Sequence, residues 1–173
     1  MPNRSAMELL ASARAIQREA RTILKLPSEV ARPTEQPVLP HSLFDGTRGY
    51  IEKVVFQINQ SYTVTCFDCC AVMIRRLIEV LIIEAFEHHG KGNAIKDKNG
   101  DYFRLDDLVR LTLAEPAWSL GRNTKQGLHA LKQIGDLSAH SRRYNAKREY
   151  IDDITGNLRT VAEELLYLAG LRK

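Results

Sequence analysis

Apolar residues recur at three- and four-residue intervals in several separate stretches, the spacing that puts them on one face of a helix. Residues 5–26 carry Met7, Leu10, Ala13, Ile16, Ala20, Ile23 and Leu24 in this rhythm, and Ser5 with Glu8 forms a capping-box pattern at its start. Between 47 and 89, Tyr50, Ile51, Val54, Val55 and Ile58 make one stripe, and Asn59-Gln60-Ser61 reads as a break. The following helix, 63–89, presents Phe67, Ala71, Ile74, Ile78, Leu81 and Ala85, widened by Cys70, Met73, Leu77 and Val80. An arc that wide belongs at the centre of a bundle. Short helices are expected over 106–114, stopped by Pro116, and over 123–134, capped by Asn123. A long one, 148–171, steps through Ile151, Ile154, Leu158, Val161, Leu165 and Leu168. Little alternation supports a sheet. The fold class is all-α.

Pro27, Pro33, Pro37 and Pro40 interrupt this pattern, and neither a helix nor a central strand runs through them. The expected organisation is an N-terminal helix (1–26), a proline-rich linker or arm (27–42) and a helical domain (43–173). With 173 residues, 44% hydrophobic and 27% charged, the chain is long enough to bury a core. A net charge of +4 fits phosphate-bearing partners without demanding nucleic acid. The longest apolar run, 77–86, is about half a membrane span and contains Glu79 and Glu84. No membrane association is expected, and a cytoplasmic location is.

Metal and cofactor chemistry find little footing. Cys66, Cys69 and Cys70 lack a fourth nearby ligand, and they read as small buried hydrophobes in a reducing compartment. Asp97, Asn99 and Asp101 mimic the opening of a calcium loop, but its acidic twelfth position is Leu108. No metal or cofactor is expected.

Three clusters could carry chemistry. Arg75, Arg76 and Glu79 interrupt the apolar helix; Arg75 and Glu79 share a face and read as a register-fixing pair, or as an arginine fork for phosphate or carboxylate. In Ile134-Gly135-Asp136-Leu137-Ser138-Ala139-His140, Gly135 is expected to end a helix, and Asp136 to orient His140 as a buried, bonded ring. Arg142 and Arg143 follow directly. Arg122 and His129 are seven apart, near one face, a pairing that in principle suffices for metal-independent RNA cleavage.

The helix Ala71-Val72-Met73-Ile74-Arg75-Arg76-Leu77-Ile78-Glu79, the stretch Ile134–His140 and the closing Ala162-Glu163-Glu164-Leu165-Leu166-Tyr167-Leu168 resemble the HEPN-like superfamily (higher eukaryotes and prokaryotes nucleotide-binding). The nearest likeness is to a bacterial branch of unknown function, and it runs from Tyr62 to the chain's end. The resemblance implies a bundle of four to five helices, here with an extra N-terminal helix, and a homodimer. Active members of that superfamily use an Arg-x4–6-His motif as a ribonuclease site shared across the dimer. Here no Arg occupies 123–139, so His140 lacks the partner that the motif requires. Only Arg122 and His129 meet the spacing. The expectation is therefore a non-enzymatic HEPN-like module binding a protein, nucleotide or nucleic-acid partner, in a bacterial defence or toxin–antitoxin setting. Arg75, Arg76, Glu79, Asp136, His140, Arg142 and Arg143 are its candidate binding residues. The alternative is a metal-independent endoribonuclease with a composite Arg/His site at a dimer interface, drawn from Arg122, His129 and His140.

Overall fold

The computed structural model describes residues 11–16, Glu19 and 37–172. The chain divides into two units, Met1–Arg32 and Pro33–Lys173. In the first, residues 11–16 are helical, in keeping with the expected N-terminal helix; the rest of that helix and most of the proline-rich stretch lie outside the described residues.

The described part of the second unit opens with a bend at Val38 and Leu39 and a 3-10 turn, His41–Leu43, followed by five α-helices. These are α1 (Gly49–Thr63), α2 (Phe67–His88), α3 (Leu105–Ala114), α4 (Arg122–His140) and α5 (Arg148–Leu168), with a second 3-10 turn, Gly92–Ile95, before α3. No strand forms among the described residues; one isolated bridge joins Lys96 to Tyr102. The all-α expectation holds.

Helix α2 is the hub, packing on α1, α3, α4 and α5. Both apolar rows read from the sequence contribute: Ala71, Ile74, Leu77, Ile78, Leu81, Ile82 and Ala85 are fully buried. At about 1.5–3 kcal/mol for each large aliphatic side chain buried, this helix anchors the domain. Glu84 lies on the same buried surface, and its carboxylate is matched there by Arg48 at 2.7 Å and by the hydroxyl of Tyr50.

The expected break at Asn59-Gln60-Ser61 is absent, and α1 runs through it. Asn59 and Ser61 find bonds that the helix permits. Asn59 accepts from Leu39 N–H at 3.0 Å and donates to Leu39 C=O at 2.8 Å, and the Ser61 hydroxyl donates back to Gln57 C=O at 2.7 Å. The break comes at Val64-Thr65-Cys66. Thr65 takes φ +63°, and Cys66 N–H reaches back to Ser61 C=O at 2.8 Å, the closing bond of a Schellman turn. A threonine in a glycine's usual place hides that signal.

The Asn59 clamp also draws the chain's entry into the core. Val38 and Leu39 are buried, and Arg159 on α5 donates to Val38 C=O at 3.1 Å and Pro37 C=O at 3.0 Å.

Candidate functional site

Gly135 does not end a helix. It lies inside α4, where a Cβ would come 2.5 Å from the Cβ of Arg75 and 3.1 Å from Ala71 C=O. The residue is small because α2 and α4 cross there, not because the backbone turns. Gly127, two turns earlier on α4, serves α5 in the same way: a Cβ there would meet Val161 Cγ2 at 2.7 Å. The start of α4 also differs from expectation. Gly121 is the N-cap, and Asn123 lies within the helix and caps nothing.

The close crossing brings the two candidate motifs together. Arg75 Nε lies 2.8 Å from Asp136 Oδ1, and its guanidinium is 3.7 Å from Glu79 one turn on. Lys132 completes the row, 2.8 Å from Asp136 Oδ2 and 3.0 Å from Asp106 of α3. Three helices are thereby tied by alternating charges. Burial disfavours the Asp136 carboxylate, but the bonds from Lys132 and Arg75 outweigh it and hold the carboxyl below its ordinary 3.8. Bonds to Asp136 and then Asp106 raise the Lys132 ammonium above its ordinary 10.5. Arg75, Glu79 and Asp136 are thus engaged with one another.

His140 is the main correction. It was expected to be buried and oriented by Asp136; instead it is exposed at the last position of α4, and Asp136 is bonded to Arg75 and Lys132. The reason is that α4 continues unbroken through Gly135. The carboxylate therefore faces the α2 crossing, and the imidazole projects from the helix end. No side-chain hydrogen bond or ion pair joins His140 to another described residue.

The chain then crosses to α5 through 141–147, where Arg142 and Arg143 are exposed and free of ion pairs among the described residues. The loop is held on both sides of its apex. Ala146 N–H donates to Asp68 Oδ1 on α2 at 2.9 Å, and Tyr144 stacks on Tyr150 with centroids 6.1 Å apart. Because α4 runs antiparallel to α2, His140, Arg142 and Arg143 gather at the N-terminal end of α2. Arg76 is also exposed, further along that helix.

Arg122 and His129 lie on one helix but are not brought together. Arg122 is the first, exposed residue of α4, and His129 lies about 10 Å further along the axis. His129 lines a cleft of about 430 Å³ between α3 and α4, with Asp106, Val109, Arg110, Leu113 and Ala114. The arginine in that cleft is Arg110, not Arg122. Arg110 was missed because the histidine that lines the same cleft lies on another helix, so no sequence spacing links them. It pairs at the surface with Asp107 at 3.0 Å.

The cysteines also divide. Cys66 and Cys69 are joined in a disulfide, and only Cys70 is the buried free thiol expected of all three. Burial pushes the Cys70 thiol up to about 12. Among the described residues no cluster of His, Cys, Asp or Glu is arranged to hold a metal, and no helix is long and apolar enough to cross a membrane.

No protein-family model, curated protein or solved structure matches the chain.

Proposed function

We propose that this chain is a HEPN-like helical module that binds a phosphate-bearing partner, with single-stranded RNA the foremost class, and does not cleave it. One observation carries the reading. Exposed His140 ends α4, and Arg142 and Arg143 follow it at the same end of the bundle with no ion pair among the described residues, on a loop anchored by Asp68. Arg75, by contrast, spends its charge on Asp136 and Glu79. Unpaired guanidinium groups on a fixed loop are well suited to phosphate oxygens. The sequence resemblance adds the homodimer, which would present two such loops.

Anisotropy titration of a labelled single-stranded RNA tests this. With two arginines on phosphates, log K should fall with log salt at a slope of about −1.4. Arg142→Glu with Arg143→Glu should abolish binding, whereas Arg122→Ala should leave it intact. Binding unaffected by the double variant would sink the proposal.

The ribonuclease alternative draws support from a different feature, the Arg110 and His129 side chains lining one cleft. Cleavage of RNA in excess chelator, lost on His129→Ala or Arg110→Ala, would replace the binding-only reading with this one.

A further inference from the structure

Cys66 and Cys69 occupy the N-terminal edge of α2. Cys66 is the N-cap residue and half-buried; Cys69, in the first turn, is exposed. Their Cα atoms are 5.3 Å apart, within the normal span of a disulfide. A bridge closing so few residues restricts the unfolded chain far less than a long loop does, so it is a weak staple. It also occupies the N-cap sulfur, and α2 has no side-chain cap. On reduction, a Cys66 thiolate would face the unpaired N–H groups of the first turn, which stabilise a negative charge.

The two residues inside the bridge hold neighbouring elements. Phe67 packs edge-on to Tyr62 at 5.7 Å, beneath the Arg148 guanidinium of α5. Asp68 accepts the Ala146 N–H of the 141–147 loop. What closes or opens this ring therefore acts directly on the loop's anchor.

We propose that Cys66 and Cys69 form a reversible dithiol–disulfide site that exchanges with small thiols and whose state sets how tightly the 141–147 loop is held. The thiolate of a small thiol attacks the exposed Cys69 Sγ. A new sulfur–sulfur bond forms there as the Cys66–Cys69 bond breaks, and its electron pair leaves on Cys66 Sγ at the helix N-terminus. A second thiolate attacks the small thiol's sulfur in the mixed disulfide, releasing Cys69 as a thiolate and forming the small-molecule disulfide. Overall, two small thiols are oxidised and the protein disulfide is reduced to two thiols by two electrons. Cys70, buried with its thiol pushed up to about 12, takes no part. The exchange is independent of whatever Arg142 and Arg143 bind.

The test is to equilibrate the full chain in graded ratios of reduced to oxidised glutathione, quench with acid, alkylate and weigh. Cys66 and Cys69 should convert together across the series, and Cys70 should be alkylated only after denaturation. When reduced glutathione is added to the oxidised wild type and quenched early, the trapped mixed disulfide should lie on Cys69 at least ~10-fold more often than on Cys66, because exposure governs which sulfur is attacked. In wild type, amide exchange at Ala146 should be ~10-fold faster in the reduced form, the loss of about one hydrogen bond's worth of protection. A pair locked in either state across the whole series, or mixed disulfide forming faster on Cys66, overturns the exchange site. Equal Ala146 exchange in both states overturns the coupling to the loop.

Discussion

Gly135 lies so close to Arg75 that a Cβ added to the glycine would fall 2.5 Å from the arginine's own Cβ. Neither atom can swing aside, because both are fixed to helix backbones. Gly135→Ala should therefore force α2 and α4 apart. Overpacking of this kind costs about 1–3 kcal/mol even after the helix gains alanine's better propensity. Gly156 of α5 is the control: nothing lies within 4 Å of its added Cβ, so Gly156→Ala should stabilise by about 0.5–1 kcal/mol. Urea denaturation of both variants reads the contrast.

The same crossing gives stability an acid limb. Asp136 has a depressed folded-state pKa, so its contribution is present above the ordinary value of 3.8 and is lost as pH falls through the folded value. Asp136→Asn should flatten that part of the stability–pH profile and leave the neutral region's slope unchanged. A double-mutant cycle of Arg75→Ala and Asp136→Ala should return a coupling of about 0.5–1 kcal/mol, modest because both side chains are partly exposed.

At the alkaline end Tyr50 plays the corresponding part. Burial first, and then the bond to Glu84, raises its phenol to about 12 from an ordinary 10.0. The stabilisation is complete below pH 10.0 and is lost as pH climbs toward 12, since the unfolded chain gives up the proton first. Tyr62, Tyr102 and Tyr144 are raised as well, so absorbance titration should show several late phenolates in wild type and one fewer in Tyr50→Phe.

Asn59 should matter more than its place in a run of polar residues suggests. Asn59→Ala strands both the N–H and the C=O of buried Leu39, a cost of about 2–4 kcal/mol measurable by thermal or urea unfolding.

His140→Ala should change stability by no more than about 0.5 kcal/mol, as for an exposed side chain without partners. A loss well above that in the same assay would restore the buried, bonded histidine read from the sequence.

The helices were legible wherever apolar spacing was long and regular, as in α2 and α5, because burial on one face must leave that period. Their joints were not. Thr65 turns the chain where a glycine would have announced the turn, and Asn59 and Gly135 mimic breaks inside helices that continue. For the last two the deciding partner is remote: Leu39 for Asn59, Arg75 for Gly135. The candidate site was legible as residue types only. That Arg75 meets Asp136 across 61 positions, and that Arg110 and His129 share a cleft, depends on which helix faces which. Sequence spacing carries no record of it.

Trp118, the chain's single tryptophan, packs against Phe86 at 4.6 Å and His89 at 5.5 Å, at the C-terminal end of α2. Phe86 is 19 residues beyond Phe67, so the indole stands about 28 Å along the helix from the disulfide and the arginine loop. Its fluorescence thus reports on the end of α2 opposite to the Cys66–Cys69 disulfide and the 141–147 loop. Emission will follow global unfolding and will stay silent when a change is confined to the Cys66–Cys69 end.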